Sequence, residues 1–162
     1  MKYAVGIGYD IHSLEAGGRL VIGGVEIPYE KGLRGHSDAD VLLHAVCDAL
    51  LGAVAEPDIG EQFPDTDARL RGIDSRELLH KVYQVVTTKG FCIQNIDTVV
   101  IAQEPSLAPF KKQIRQQIAG ILGIEDSRVG VKAKTNEHMG EIGRKEAIAA
   151  YAVVLVSKGV EQ

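Results

Sequence analysis

The segment RGHSDADVLLHAVCDALL, at residues 34–51, predicts a largely apolar helix that carries a row of polar side chains. Asp40, His44 and Asp48 lie four residues apart, so they share one face of that helix. An unpaired buried charge is costly, and a row of acid, histidine and acid on a buried helix therefore needs a reason. Metal coordination is one such reason.

The start of this helix carries the residues Gly35-His36-Ser37. Ser37 or Asp38 can cap the helix by accepting hydrogen bonds from the free N–H groups of its first turn. The same N–H groups and the positive end of the helix also suit a phosphate, with His36 and the Ser37 hydroxyl as further donors. From the residues alone, both capping and phosphate binding are open.

Length and composition predict a single folded domain over residues 1–162. The chain is 45% hydrophobic and 25% charged and has no low-complexity run, which is typical of a globular protein. The formal net charge of −4 argues against general nucleic-acid binding. Cys47 and Cys92 form no CxxC pattern, which favours a reducing compartment. No apolar run approaches the roughly 20 residues that span a bilayer, and no targeting segment follows Met1, so we predict a bacterial cytoplasmic protein.

The periodicity of the remaining chain predicts an α+β fold, a single-domain two-layer sandwich with a mixed β-sheet and helices on one face. A first strand covers residues 3–11, where Gly6 and Gly8 indicate the close approach of another backbone or of a ligand. Gly23-Gly24 connects two short strands in a tight hairpin. Later helices are predicted over residues 76–89 and 108–122, and later strands over 91–103, 128–134 and 147–156.

The last predicted strand, AIAAYAVVLV at residues 147–156, is apolar at both alternating sets of positions. Such a strand is typically buried on both faces of its sheet. Three long helices are predicted, and they cover one face. We therefore expect the second face to pack against other copies of the chain in a homo-oligomer.

Asp10 and His12 lie two residues apart on the first strand and therefore point the same way. With His44 from the helix they would offer three N/O ligands and an open fourth position, which is typical of catalytic zinc. The alternative is a chance match, because Asp-x-His is a short pattern and His44 could be a hydrogen-bonded core histidine. Asp40 or Asp48 could orient His44, or could be a charge on the helix surface.

The segment KAKTNE at residues 132–137 is a second candidate site, at the end of a predicted strand. Its lysine, threonine and asparagine are donors that suit phosphate, and Glu137 could hold a hard cation such as Mg²⁺. A polar strand end is the alternative. The sequence has no GxxxxGK[ST] loop, no GxGxxG after the first strand and no GxSxG motif, so nucleotide-dependent kinase or dehydrogenase chemistry has no local support.

Together these motifs closely resemble the 2-C-methyl-D-erythritol 2,4-cyclodiphosphate synthase family. The matching pieces run in family order along the chain: GYDIH at 8–12, IGG at 22–24, IPYEKGLRGHSDADVLLHAVCDALLGA at 27–53, DIGEQFPDTD at 58–67, DSREL at 74–78, AQEPSLAP at 102–109, VKAKTNE at 131–137 and GR at 143–144. Each piece is short, but their joint pattern is highly specific.

The resemblance implies a cyclising lyase of the non-mevalonate isoprenoid pathway. The family converts 4-diphosphocytidyl-2-C-methyl-D-erythritol 2-phosphate to 2-C-methyl-D-erythritol 2,4-cyclodiphosphate and releases CMP. Such an intramolecular phosphoryl transfer requires two phosphates held in line with their charge neutralised, and it needs no protein nucleophile.

The resemblance also implies roles for particular residues. Asp10, His12 and His44 match the ligands of one Zn²⁺ per subunit, and Glu137 matches a ligand of Mg²⁺ or Mn²⁺ on the substrate diphosphate. His36 and Thr135 match the positions that stabilise the transition state. The implied substrate contacts are Asp10, His12, His36, Ser37, Asp58, Ile59, Gly60, Phe63, Pro64, Asp65, Thr66, Asp67, Ala102, Gln103, Glu104, Pro105, Ser106, Leu107, Ala108, Lys134, Thr135, Asn136, Glu137, Glu141 and Arg144.

Members of the family are homotrimers with active sites at subunit interfaces, and some hold an isoprenoid diphosphate in a channel on the threefold axis. Arg144 matches the arginine near that ligand, but Glu141 stands where some members have an aromatic residue. Charge repulsion then predicts weak binding of a prenyl diphosphate. Two other classes of function stay open: a zinc-dependent phosphohydrolase, and a non-enzymatic trimer that binds a cytidine nucleotide or an isoprenoid.

Overall fold

The chain folds as strands and helices around one central sheet. The computed structural model describes residues 2–35, 37–64, 66–67 and 72–159. Within these ranges the strands are β1 (Tyr3–Ala16), β2 (Leu20–Ile22), β3 (Val25–Ile27), β4 (Lys31–Leu33), β5 (Phe91–Ile101), β6 (Val129–Lys134) and β7 (Ala147–Lys158). The α-helices are α1 (Val41–Ala53), α2 (Ile59–Gln62), α3 (Ser75–Thr88), α4 (Lys111–Leu122) and α5 (Gly140–Gly143).

The central sheet has five strands in the order β4-β1-β7-β5-β6. β5 and β6 are parallel, whereas β7 is antiparallel to both of its neighbours, β1 and β5. The mixed sheet is thus confirmed. β1 and β5 run in the same direction, so their carboxyl-terminal ends lie at the same edge of the sheet, as does the end of β6.

The predicted long elements are present, and the differences lie in short ones. β1 extends to Ala16, beyond the predicted end at Ile11, because its second half pairs with β4, from Leu14 opposite Leu33 to Ala16 opposite Lys31. Residues 108–110 form a 3₁₀ turn that leads into α4, where the sequence predicted one continuous helix. α2 and α5 are single turns in segments where the sequence predicted no helix. No helix in the described ranges is both long and apolar enough to cross a membrane.

α1 lies directly on β1, and two glycines permit this contact. A Cβ built on Gly6 would lie 1.8 Å from the carbonyl oxygen of Ala49, and one on Gly8 would lie 1.9 Å from that of Ala45. Both distances are far shorter than van der Waals contact, so only glycine, which has no Cβ atom, fits at these two positions of the strand. The prediction that Gly6 and Gly8 mark the approach of another backbone is confirmed.

The two faces of the sheet are covered unequally. α1, α3 and α4 pack on one face, where the side chains of β7 and β5 join the main core. The three long helices thus share one face as predicted, whereas the short helix α5, which was not predicted, lies on the opposite face, where Ile142 packs against Ala147 and Ala149. Most of this outer face remains apolar and exposed, with Val5 65% and Ile7 69% accessible.

β7 only partly matches the expectation of burial on both faces. Its first four residues, Ala147 to Ala150, are all buried, because α5 covers the outer face there. Beyond them the strand alternates, and Tyr151 and Val153 are exposed on the outer face. Tyr151 stacks at a tilt against Tyr9 of β1, with ring centroids 4.7 Å apart.

Asp40, rather than Ser37 or Asp38, caps α1. It is fully buried, and its Oδ1 atom accepts hydrogen bonds from the N–H groups of Leu42 and Leu43 at 3.2 and 3.1 Å. The same carboxylate accepts from the N–H groups of Gly23 and Gly24, at 2.9 and 2.6 Å. Both glycines have positive φ, as the tight turn between β2 and β3 requires. Asp40 therefore ties the start of α1 to the hairpin, and neither role predicted for it is correct.

We expect Asp40→Ala to lower the free energy of unfolding by about 3 kcal/mol, from a lost cap and buried N–H groups left without an acceptor. Burial raises the pKa of Asp40 to about 6, so the measurement by urea denaturation belongs near pH 7.5, where the carboxylate predominates. Asp74→Ala is the matched control, because Asp74 caps α3 at a more exposed position. That change should cost only about 1 kcal/mol. Equal losses for the two variants would contradict the double role of Asp40.

Candidate active site

Asp10, His12 and His44 meet where β1 and α1 touch. The Oδ2 atom of Asp10 lies 2.8 Å from Nε2 of His12 and 3.0 Å from Nδ1 of His44. The two ring nitrogens are 3.2 Å apart. The structure thus brings together the three residues predicted as zinc ligands, each with one ligand atom in a space small enough for a single ion.

The donor atoms of this cluster fit a divalent cation. Nδ1 of His12 lies 2.9 Å from the carbonyl oxygen of Arg34, which can only accept a hydrogen bond. In the neutral ring this leaves a lone pair on Nε2, directed at the Asp10 carboxylate. Facing lone pairs repel one another unless a proton or a cation lies between them. Two imidazole nitrogens and one carboxylate oxygen are a ligand set that suits zinc.

The ionisation of Asp10 and His12 reflects this crowding. Burial acts to raise the pKa of Asp10, but its interactions with the rings of His12 and His44 hold that pKa well below its usual range. Burial acts to lower the pKa of His12, and the hydrogen bond to Asp10 outweighs it, so the pKa of His12 lies above 6.5. In the metal-free protein the pair is therefore an ion pair near pH 6.

This pair predicts how the stability of zinc-free protein depends on pH. His12 has a raised pKa in the folded state, so its stabilising contribution is full below pH 6.5 and is lost as pH rises through the raised value. The contribution of Asp10, whose pKa is lowered, is lost only in acid. With a chelator present, we expect the free energy of unfolding to fall as the pH rises above 6.5, and less steeply in His12→Asn. Parallel curves for the two proteins would contradict this.

Asp48 connects α1 to the acidic loop, the segment EPDIGEQFPDTD at residues 56–67. Its Oδ1 atom accepts a hydrogen bond from the N–H group of Ile59 at 2.8 Å, at the first residue of α2. Burial raises the pKa of this half-buried carboxyl, and the bond from Ile59 opposes the shift. Asp48 is therefore neither the predicted support of His44 nor a solvated charge. It holds the predicted substrate residues Asp58, Ile59 and Gly60 one helical turn beyond His44.

The rest of the acidic loop is only partly described. Asp58 caps α2 by accepting from the N–H group of Glu61 at 3.0 Å. Phe63 packs against the core, and Nζ of Lys81 lies 6.0 Å from the centre of its ring. Pro64 and Thr66 are exposed, and Asp67 is half-buried. His36 and Asp65, which were predicted to act on the substrate, lie outside the described residues.

A second group of predicted site residues meets at the ends of β5 and β6. Residues 102–108 surround a cavity of about 240 Å³ together with Ala133, Lys134 and Thr135. The structure therefore brings together two segments that are far apart in the sequence and that were both predicted to contact the substrate. The seven residues are Ala102, Gln103, Glu104, Pro105, Ser106, Leu107 and Ala108.

The turn that carries Glu137 adopts an unusual backbone conformation. Glu137 and His138 have φ values of +50° and +60°, which non-glycine residues rarely adopt. Two hydrogen bonds hold the turn: Thr135 Oγ1 donates to Glu137 at 2.8 Å, and the N–H group of His138 donates to Gln103 at 3.1 Å. Strain of this kind is common at functional sites. Thr135 lines the cavity, and Glu137 accepts its hydrogen bond.

The remaining predicted residues lie in this turn, in α5 and directly after α5. Asn136 donates from its side chain to the carbonyl oxygen of Met139 at 2.8 Å. Glu141 is exposed in α5. Arg144, which follows α5, is also exposed and forms an ion pair with Glu146 at 3.0 Å.

Within a single chain, the cluster of Asp10, His12 and His44 does not contact the cavity at residues 102–108. Asp10 of β1 and Ala133 of β6 lie in register, with β7 and β5 between them. Three strand spacings place β1 and β6 ~14 Å apart along the same edge of the sheet.

Sequence reasoning missed two residues near His44. The Nε2 atom of His44 lies 3.0 Å from Oγ of both Ser37 and Ser75, and Ser75 also bonds to Asp38. Asp38 was considered only as a helix cap, and Ser75 was given no role in the site, because a serine at a helix start carries no further signal. Their meeting depends on how α3 packs beside α1.

Comparison with known proteins matches this chain closely. The model of the YgbB family matches residues 3–157. A protein of Carboxydothermus hydrogenoformans named 2-C-methyl-D-erythritol 2,4-cyclodiphosphate synthase is 52% identical over 161 residues, which are 99% of each chain. The Plasmodium falciparum IspF structure, a CDP complex, is 34% identical with a TM-score of 0.85, over 97% of each chain.

One relative contains the same fold within a longer chain. The bifunctional IspDF of Campylobacter jejuni matches with a TM-score of 0.94 and 41% identity, over 97% of this chain and 42% of that protein. Both the sequence matches and the structural matches thus extend over nearly the whole of the present chain. The chain belongs to the YgbB family, whose members similar to it are named 2-C-methyl-D-erythritol 2,4-cyclodiphosphate synthases.

Proposed function

We infer that this chain converts 4-diphosphocytidyl-2-C-methyl-D-erythritol 2-phosphate to 2-C-methyl-D-erythritol 2,4-cyclodiphosphate and CMP, as an enzyme of isoprenoid biosynthesis. The observation that carries this inference is a metal-type donor set at the same sheet edge as a strained Thr135–Glu137 turn and a pocket. The near full-length similarity to proteins named for this reaction supports it.

The reaction exchanges one phosphorus–oxygen bond for another. An oxygen of the 2-phosphate attacks the β-phosphorus, the bond from that phosphorus to the bridging oxygen breaks, and CMP leaves with that oxygen. Negative charge moves from the attacking phosphate towards CMP. The protein must therefore hold two phosphates in line and stabilise this charge, rather than supply a nucleophile.

Asp10, His12 and His44 would hold Zn²⁺, and Glu137 would contribute to a site for Mg²⁺ or Mn²⁺ on the diphosphate. When bound, these ions neutralise phosphate charge and orient the reacting oxygens. The Thr135 hydroxyl already donates to Glu137, and a rotation of this side chain redirects its proton to a phosphate oxygen. We assign His36 to the same task.

The loops are assigned to the two ends of the substrate. Ser37 and the Asp58–Gly60 turn contact the methylerythritol phosphate. Oγ of Ser37 lies 3.0 Å from Nε2 of His44, and Asp48, on the same helix as His44, accepts a hydrogen bond from the turn. Residues 63–67 belong to this loop. The cavity of residues 102–108 receives the cytosine, and Lys134, Thr135, Asn136 and Glu137 face the diphosphate.

We propose that the active form is a homotrimer with active sites between subunits. A row of exposed apolar side chains on the outer face of the sheet supports this: Tyr3, Val5, Ile7, Tyr9, Tyr151 and Val153. The ~14 Å between the strands that carry the two half-sites also supports it, because a neighbouring chain can bring its cavity closer. Light scattering should give about 52 kDa, three times the chain mass of 17.4 kDa. A mass of 17 kDa with full activity would contradict the proposal.

Three further assignments complete the proposal. Residues 1–162 form one synthase domain, and the enzyme works in the bacterial cytoplasm with small-molecule substrates, without nucleic acid or membrane partners. A prenyl diphosphate binds weakly, because Glu141 adds negative charge and Glu146 already pairs with Arg144. Tight binding of geranyl diphosphate in calorimetry would contradict the last assignment.

Phosphorus NMR tests the reaction directly. The purified protein is given the linear substrate and Mg²⁺, in zinc-loaded form and after removal of zinc by a chelator. We expect equal amounts of CMP and cyclic diphosphate from the loaded protein, none after chelation, and recovery when zinc is restored. Release of inorganic phosphate would favour a phosphohydrolase, and binding of CDP without turnover would favour a non-enzymatic binding protein.

A further inference from the structure

Ser75 lies behind the metal cluster, on the side of His44 that faces away from Asp10. It is the first residue of α3 and is fully buried. Its Oγ atom is 3.0 Å from Nε2 of His44 and forms a short hydrogen bond to the carboxylate of Asp38. The N–H group of Ser75 donates to the other oxygen of that carboxylate at 3.1 Å.

Counting protons in this chain of contacts assigns the tautomer of His44. A serine hydroxyl has one proton, and the Asp38 carboxylate can only accept it. The Ser75 oxygen is then free only as an acceptor, so Nε2 of His44 carries the hydrogen. Nδ1 is left with its lone pair, directed at Asp10 and His12. This is the form of the ring that can coordinate a metal.

We propose that Ser75, held by Asp38, is a positioning residue that fixes the tautomer and the orientation of His44 for metal binding. The inference rests on the proposed metal centre and adds to it a hydrogen-bonded chain from Asp38 through Ser75 to His44. Outer hydrogen bonds of this kind orient a metal-bound histidine and raise its basicity. Ser37 lies 3.0 Å from the same nitrogen, and its Oγ atom accepts a hydrogen bond from the N–H group of Ala39 at 3.1 Å.

The position of Asp38 is itself set by the packing of α3 against the start of α1. The N–H group of Asp38 donates to the carbonyl oxygen of Ile73 at 3.2 Å, just before α3 begins. The Asp38 side chain in turn accepts from the N–H group of Asp40 at 3.2 Å. Because Asp40 caps α1, the chain of contacts joins the metal ligand to the docking of two helices.

The test compares zinc affinity, measured by competition with a chromophoric chelator, in wild type, Ser75→Ala, Asp38→Asn and Ser127→Ala. We expect 10–100-fold weaker binding for the first two variants, the usual loss on removing an outer partner of a metal-bound histidine. Ser127→Ala is the matched control, because Ser127 is exposed and bonds only to Glu125 among the described residues. Its affinity should equal that of wild type.

A second readout separates positioning from general stability. Long-range ¹H–¹⁵N NMR of the zinc-free proteins at pH 8 should show His44 with its proton on Nε2 in wild type and a mixture of tautomers in Ser75→Ala. Circular dichroism checks that each variant is folded, and if Ser75→Ala is not, Asp38→Asn decides. Zinc affinity within twofold of wild type, or a wild-type proton on Nδ1, would overturn the inference. A wild type that binds no zinc would overturn the metal centre itself, so the two failures are distinguishable.

Discussion

His44→Ala is expected to lower kcat/KM for cyclisation by at least ~1000-fold and to abolish stoichiometric zinc binding. The change removes one of three ligand atoms and leaves Asp10 and His12 with an incomplete set. It also removes the ring nitrogen that lies 3.0 Å from the partly buried Asp10 carboxylate. CMP release measures the rate, and metal analysis of the dialysed protein measures the zinc content.

His80→Ala is the matched control for this experiment. His80 is exposed on α3, where its ring lies 3.3 Å from the side-chain nitrogen of Gln84. We expect it to retain zinc content and rate, which separates the loss of a ligand from the loss of any histidine. If His44→Ala keeps more than a tenth of the wild-type kcat/KM, the role assigned to His44 is wrong.

The meeting of Asp10, His12 and His44 could be predicted because its geometry is local on both elements. A two-residue spacing on a strand puts Asp10 and His12 on one side, and the adjacent apolar helix brings His44 to them. The close approach of α1 to β1 could also be predicted locally, since glycines within a strand, here Gly6 and Gly8, indicate close packing against another backbone. The long helices and strands followed from periodicity in the same way.

The partners of the acids on α1 could not be predicted, because they come from elsewhere in the chain. Asp40 bonds to the turn at Gly23 and Gly24, and Asp48 bonds to Ile59. The four-residue spacing correctly placed Asp40, His44 and Asp48 together but gave no information on what each one would meet. In the structure they contact, in order, the hairpin, the side chains of Asp10 and His12, and the backbone of Ile59.

Single-turn elements such as α2 and α5 were missed for a related reason. A helix of four residues has no periodicity to detect, and its stability comes from contacts such as the bond between Asp48 and Ile59. The strained turn at Glu137 likewise depends on Gln103, which is far away in the sequence. Such features require the tertiary structure.

Gly8→Ala is expected to lower the free energy of unfolding by at least about 3 kcal/mol, and to weaken zinc binding in whatever protein still folds. The new methyl group would lie 1.9 Å from the carbonyl oxygen of Ala45 and 2.8 Å from the amide nitrogen of Ala49. These are backbone atoms within one turn of α1, so no rotation of a side chain can relieve the clash. α1 must move away from β1 by more than 1 Å to restore contact distance.

The same movement displaces His44, because it precedes Ala45 directly, while Asp10 and His12 stay on β1. Gly8→Ala should therefore lower zinc affinity as well as the melting temperature. Gly120→Ala is the matched control, since a Cβ there meets nothing within 4 Å and lies inside α4. In a helix interior alanine is favoured over glycine by up to about 1 kcal/mol, so this variant should be neutral or more stable. A Gly8→Ala protein with the same melting temperature as Gly120→Ala and the same zinc affinity as wild type would mean that α1 does not set the position of His44.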